Sequence, residues 1–100
     1  MNDTSTHLTT ETVLRRRPSP LVEWVEVDGE IVAWDQEGEA LHLLDPIASL
    51  IFQLCDGTAS LAVTVNDLAE AFGREPASLT DDVLAGAAAL EEKKLVEPVR

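Results

Sequence analysis

Cysteine is nearly missing from this 100-residue chain: Cys55 stands alone, which excludes an internal disulfide and gives no support to an oxidising, exported setting. Basic residues are scarce too, with 7 Lys and Arg against 19 Asp and Glu and a net charge of −12. Phosphate backbones are held chiefly by Lys and Arg, so nucleic acid is not an expected partner. Long apolar runs are lacking. Residues 1–12 are too polar for a signal peptide, and no stretch approaches a membrane span, so no membrane partner is expected and a reducing cytoplasm is the expected location. Histidine is limited to His7 and His42, and Cys-x-x-Cys, His-x-x-x-His and a spaced carboxylate loop are all missing, so no metal is expected. The glycines are isolated at turns, which leaves no phosphate cradle and no expected cofactor.

Catalytic groups find no partners either. His42 falls inside a strand-like stretch with no nucleophile beside it, and Ser49 sits in a helical stretch with no neighbouring base. Cys55 ends an apolar helix face, where a free cysteine behaves as a small hydrophobe. No catalytic residue is assigned, and the chain reads as a binding protein rather than an enzyme.

What is present begins with a polar stretch over residues 1–20, read as a flexible arm that ends in Pro18, Ser19 and Pro20. Arg15, Arg16 and Arg17 are either a handle for an acidic surface or part of a solubilising tail. Without this arm, residues 21–100 carry 4 basic and 17 acidic side chains, a net charge of −13. The runs at 22–27 and 30–35 are rich in β-branched and aromatic residues, and Asp28-Gly29 between them is a strong hairpin signal. A second turn at 36–39 leads to a third strand, 40–44, so an antiparallel meander is predicted.

Asp45 then caps a helix over residues 46–55, with Pro46 in the first helical position and Ile47, Leu50, Ile51 and Leu54 as its buried stripe, closed by Asp56-Gly57. Residues 58–60 read as a loop. A second helix is predicted over 61–72, with Leu61, Val65, Leu68 and Phe72 inward and Gly73 as its stop. The third covers 77–94, with Leu79, Val83, Ala87 and Leu90 as its stripe and a narrow run of small residues from Ala85 to Ala89. The carboxylate pairs Asp81-Asp82 and Glu91-Glu92 read as solvated faces near its ends. Residues 95–99 could pack back or pair as a strand. The predicted class is α+β, a three-stranded antiparallel sheet followed by three helices in a winged-helix-like order. A winged-helix regulatory module is the alternative reading, and the acidic last helix argues against groove readout of DNA.

The sequence Asp-Gly-Glu-Ile-Val-Ala-Trp-Asp, then Gly-Glu-Ala-Leu-His-Leu-Leu-Asp-Pro-Ile-Ala-Ser-Leu-Ile-Phe-Gln-Leu-Cys-Asp-Gly, then Leu-Ala-Glu-Ala-Phe-Gly and Leu-Glu-Glu-Lys-Lys-Leu-Val resembles the PqqD-like family over residues 21–96. These are small peptide chaperones, or recognition elements, of pathways that make and modify ribosomal peptides, lasso peptides among them. Members commonly have Asn at the position of Asp45, an aromatic near Ala40, an aliphatic residue at Thr64 and glycine at Lys94.

The resemblance implies a non-catalytic adaptor in natural product biosynthesis. It would bind the leader of a precursor peptide as an added strand and present it to a modifying enzyme, either a radical SAM maturase or a leader protease. It implies a peptide-binding domain over residues 21–100, with Glu39, Ala40, Leu41, His42, Leu43 and Leu44 as the binding strand. Val83, Gly86, Ala87 and Leu90 would form the groove wall, though Val83 and Leu90 read equally well as core. Lys93, Lys94 and Arg74 would face acidic leader residues. A free edge strand allows a monomer or a weak homodimer.

Overall fold

The computed structural model describes residues 8–99, so residues 1–7 of the expected arm, His7 included, lie outside it, as does Arg100. The elements in order are β1 (Val13–Arg16), β2 (Val22–Val27), β3 (Glu30–Asp35), β4 (Ala40–Leu44), α1 (Pro46–Leu54), β5 (Asp56–Ser60), α2 (Leu61–Phe72), α3 (Pro76–Glu92) and β6 (Val96–Pro98). They form two antiparallel three-stranded sheets, ordered β2-β3-β4 and β5-β1-β6, with three helices.

The predicted meander is present. Asp28 and Gly29, at φ 53° and 83°, turn β2 into β3, with Val27 opposite Glu30. The turn at 36–39 pairs Asp35 with Ala40. The inner face of this sheet carries Val22, Ile31, Ala33 and Leu44, all buried against the helices.

The second sheet is a correction to the reading of residues 1–20 as a loose arm. Residues 13–16 form its central strand, and Leu14 is 1% exposed. The arginines that suggested a solvated tail are each held by groups far away in sequence. Arg15 donates from Nε to Glu97 Oε2 at 2.7 Å, and Arg17 Nη2 lies 2.9 Å from Glu37 Oε1. Arg16 donates from Nη1 to the carbonyls of Phe52 and Gln53 at 3.2 and 2.6 Å, satisfying the open C-terminal end of α1. Its guanidinium also lies over the rings of Trp24 and Phe52, 5.7 and 5.9 Å from their centroids. A free solubilising tail does not describe these residues, because their side chains clamp the strand to the rest of the fold.

Residues 58–60, expected as a loop, belong to β5, which pairs with β1, while β6 takes up the terminal segment. The stripe expected on α1 is rotated. Asp45 does cap the helix, accepting from Ala48 N at 2.7 Å, but the buried side chains are Ser49, Ile51 and Phe52, and Ile47 is 43% exposed. Ser49 Oγ accepts from the Ile31 amide at 2.8 Å and donates to the Leu44 carbonyl at 3.2 Å, so one hydroxyl ties α1 to two strands. The helix ends at Cys55, and Gly57 lies within β5 rather than in a helix stop. In α2, Leu61, Val65 and Leu68 are buried as expected, whereas Phe72 is 44% exposed.

Helix α3 starts one residue earlier than predicted and ends at Glu92. Its stop is one that glycine would suit. The Leu95 amide donates to the Leu90 carbonyl at 3.0 Å and the Lys94 amide to Glu91 at 2.9 Å, which places Lys94 at the left-handed position of the helix end with φ 65°. Leu90 and Leu95 are both buried, completing the apolar contact of that motif. A side chain at positive φ is disfavoured, so Lys94→Gly should raise stability by roughly 1 kcal/mol in urea denaturation. An unchanged midpoint would contradict this account of the helix end.

Candidate functional site

Strand β4 is an outer strand of its sheet, so one row of its amides and carbonyls has no partner strand. Beside that edge, β4 and the start of α1 face α3 across a groove of about 320 Å³. Leu43, Leu44 and Asp45 line it on the strand side, with Ile47, Ala48 and Ile51 from α1. The α3 side is Asp82, Gly86, Ala89, Leu90 and Lys93. A second hollow of about 330 Å³ adjoins it along β4, lined by Asp35, Glu37, Gly38, Ala40, His42, Glu92, Lys93 and Lys94. Lys93 borders both, so the two hollows are neighbours along the strand, one apolar towards Leu44 and the other polar towards Ala40. In the polar part, Asp35 is only 4% exposed and its Oδ1 has no hydrogen-bond partner.

The small residues of α3 have two uses. A Cβ at Gly86 would come 2.8 Å from Ile51 Cδ1, so glycine lets α1 and α3 approach closely while leaving the groove floor open. Ala89 lies one turn further along and adds no bulk to the wall.

The residues expected at the site are only partly brought together. Leu44, Gly86, Leu90 and Lys93 line the apolar part, and Ala40, His42 and Lys94 line the polar part. Val83 and Ala87, at 1% and 0% exposure, are core residues behind the wall, and neither lines the groove. Leu41 and Leu43 pair with Trp34 and Val32, so their side chains project from the opposite face of the sheet and are 61% and 77% exposed, although Leu43, at the strand edge, also borders the apolar part of the groove. Glu39 precedes β4, in the turn at φ 51°. Arg74 lies just beyond α2 and lines neither part.

The sequence model of one protein family, Coenzyme PQQ synthesis protein D (PqqD), matches residues 30–96, about two thirds of the chain. The chain belongs to the PqqD family. A solved structure described as TbiB1 in complex with the TbiA(beta) leader peptide is similar to it, with 20% identity and a TM-score of 0.72. That match covers 83% of this chain and 94% of the other. At this identity the likeness establishes a shared fold, and it extends beyond the PqqD match towards β1 and β2. No curated protein matches the chain significantly.

Sequence reasoning missed Asp45, Ile47, Ala48, Ile51, Asp82 and Ala89 among the residues that line this groove. The signal for the α3 members was available. Asp82, Gly86, Ala89 and Lys93 follow helical spacing, a stripe one residue before the core stripe Leu79, Val83, Ala87 and Leu90. The groove and the core thus occupy adjacent faces of one helix.

A third hollow, about 380 Å³, lies among Arg15, Arg16, Arg17, Trp24 and Cys55. It holds no nucleophile. Burial pushes the Cys55 thiol up to about 12, outweighing the opposing effect of Arg16. Between about pH 9 and 12 the unfolded chain therefore loses a proton that the folded chain keeps, and stability falls as pH rises. Comparing urea denaturation near pH 8 and near pH 10.5, Cys55→Ala should remove roughly 2 kcal/mol of this loss. An equal loss in both proteins would show that the thiol is not protected. Among the described residues no cluster of His, Cys, Asp and Glu could hold a metal ion, and no helix is long and apolar enough to cross a membrane.

Proposed function

We propose that this protein is a non-catalytic adaptor that captures the leader of a ribosomally synthesised precursor peptide as an added strand on β4 and presents it to a modifying enzyme. The observation that carries the reading is an unpaired strand edge lying directly beside a groove with an apolar and a polar end. Main-chain hydrogen bonds along β4 would supply affinity, and side chains on one face of the added strand would enter the groove and supply selectivity. Family membership supports this reading, as does the shared fold with a protein solved in complex with a leader peptide.

The two ends of the groove suggest what the leader offers. An aliphatic or aromatic side chain fits the hollow between Leu44 and Gly86. A hydrogen-bond donor suits the free Oδ1 of Asp35, and an acidic residue suits Lys93 and Lys94, which stand out in a chain of net charge −12. The binding unit includes β1 as well as residues 21–100. The enzyme partner is a radical SAM maturase or a leader protease, and the adaptor works in the cytoplasm as a monomer or weak homodimer.

Isothermal titration with a synthetic leader from the precursor encoded beside this chain tests the proposal. Wild type should bind it, and Leu43→Pro, which removes a backbone donor from an edge strand that tolerates proline, should weaken binding roughly tenfold. A wild-type protein that binds no such leader would overturn the reading.

A further inference from the structure

The helices cover only one face of the β2-β3-β4 sheet. On the other face, the register places Val25, Val32 and Leu43 in one row and Glu23, Trp34 and Leu41 in the next, with Val27 opposite Glu30. This face is open. Val25 is 58% exposed, Val27 54%, Trp34 38%, Leu41 61% and Leu43 77%. Scattered apolar side chains on a surface require no explanation, but six in adjacent rows of one sheet mark an interaction surface.

The charge around the patch selects the occupant. Glu23 and Glu30 stand on the open face itself and residues 22–44 contain no Lys or Arg, while Asp35 is buried on the groove side and Glu37 is paired with Arg17. A second copy of this chain would bring the same acidic borders together, in a molecule that already carries −12. A partner with an apolar patch bordered by Lys and Arg meets complementary charge instead. We infer that this face is the docking surface for the peptide-modifying enzyme, separate from the leader groove on the far side of β4. The inference rests on the adaptor reading. A leader strand added to β4 extends this same sheet, so an enzyme seated across Val25, Trp34 and Leu41 lies alongside the captured peptide without competing for the groove.

Full-length protein and the modifying enzyme encoded beside it are compared by biolayer interferometry, with leader titration run in parallel on each variant. Val25→Lys places a positive charge at the centre of the patch, Val25→Thr keeps the β-branched shape, and Trp34→Ser removes the largest ring. Val25→Lys and Trp34→Ser should weaken enzyme binding at least tenfold and Val25→Thr less, while leader affinity stays within twofold. That pattern supports the inference. Enzyme binding that is absent in wild type, or unchanged in all three variants, overturns it. So does a wild-type dimer in sedimentation that Val25→Lys converts to monomer, because the face then belongs to a second copy. Loss of leader binding in wild type with enzyme binding still sensitive to Val25 refutes the leader reading and leaves the docking surface standing.

Discussion

Ala89→Trp is expected to abolish leader binding in isothermal titration, a loss of at least about 100-fold, equivalent to about 2.7 kcal/mol. Ala89 is half-buried on the wall of the apolar part of the groove, with open space in front of it. An indole there occupies the volume that a leader side chain would need, and it does so without entering the packed core, which lies on the adjacent stripe through Val83, Ala87 and Leu90. The cost to the helix itself is well under 1 kcal/mol, so far-UV circular dichroism and the denaturation midpoint should change little. Gly86→Leu would be a poorer test, because a Cβ at that position already meets Ile51 and a failure to bind could reflect disturbed helix packing. If Ala89→Trp binds the leader as wild type does, the peptide does not use this groove.

The second large effect concerns stability. Phe52 is completely buried between the sheet and α1, its ring edge-on to Trp24 with centroids 5.4 Å apart and planes at 88°. Phe52→Ala should cost about 3 to 5 kcal/mol, combining lost burial, a cavity and the loss of the aromatic pair. Domains of this size are typically stable by roughly 5 to 15 kcal/mol, so the variant should show a sharply lower urea midpoint. Trp24 reports the change directly, since its partner ring is gone. A loss below about 1.5 kcal/mol would mean that the surroundings of Phe52 collapse to fill the space.

How much of this was legible follows from the range over which each element is determined. The meander and α2 could be read because their signals are local: an Asp-Gly turn, β-branched runs, helical spacing of apolar residues and a glycine stop. β1 and β5 could not. Leu14 is the only fully buried side chain of β1, and β5 is Asp-Gly-Thr-Ala-Ser, with almost nothing apolar to announce a strand. Both exist because β1 pairs with β5 on one side and with β6 on the other, and those pairings lie far apart in sequence. The α1 stripe was misread for a related reason. Periodicity favours its aliphatic residues, but the tie from Ser49 to Ile31 and Leu44 turns a polar residue inward and brings Ile47 to the groove. That β4 is an outer strand was legible from the strand order alone. The opposite wall was only half legible, because a helix that faces both a core and a groove carries two stripes, and hydrophobicity identifies only the first.

The central position of β1 also sets an order of events during synthesis. Leu14, Arg15 and Arg16 pair with Pro98, Glu97 and Val96 across 80 to 84 residues, so the β5-β1-β6 sheet cannot be completed until almost the whole chain has been made. The β2-β3-β4 meander needs only neighbours in sequence, and such contacts form sooner because little chain entropy is lost in closing them. The nascent chain therefore carries an open β4 edge before the other sheet closes. Residues 22–44 carry seven carboxylates and no Lys or Arg, so like-charge repulsion disfavours the pairing of two such edges with each other.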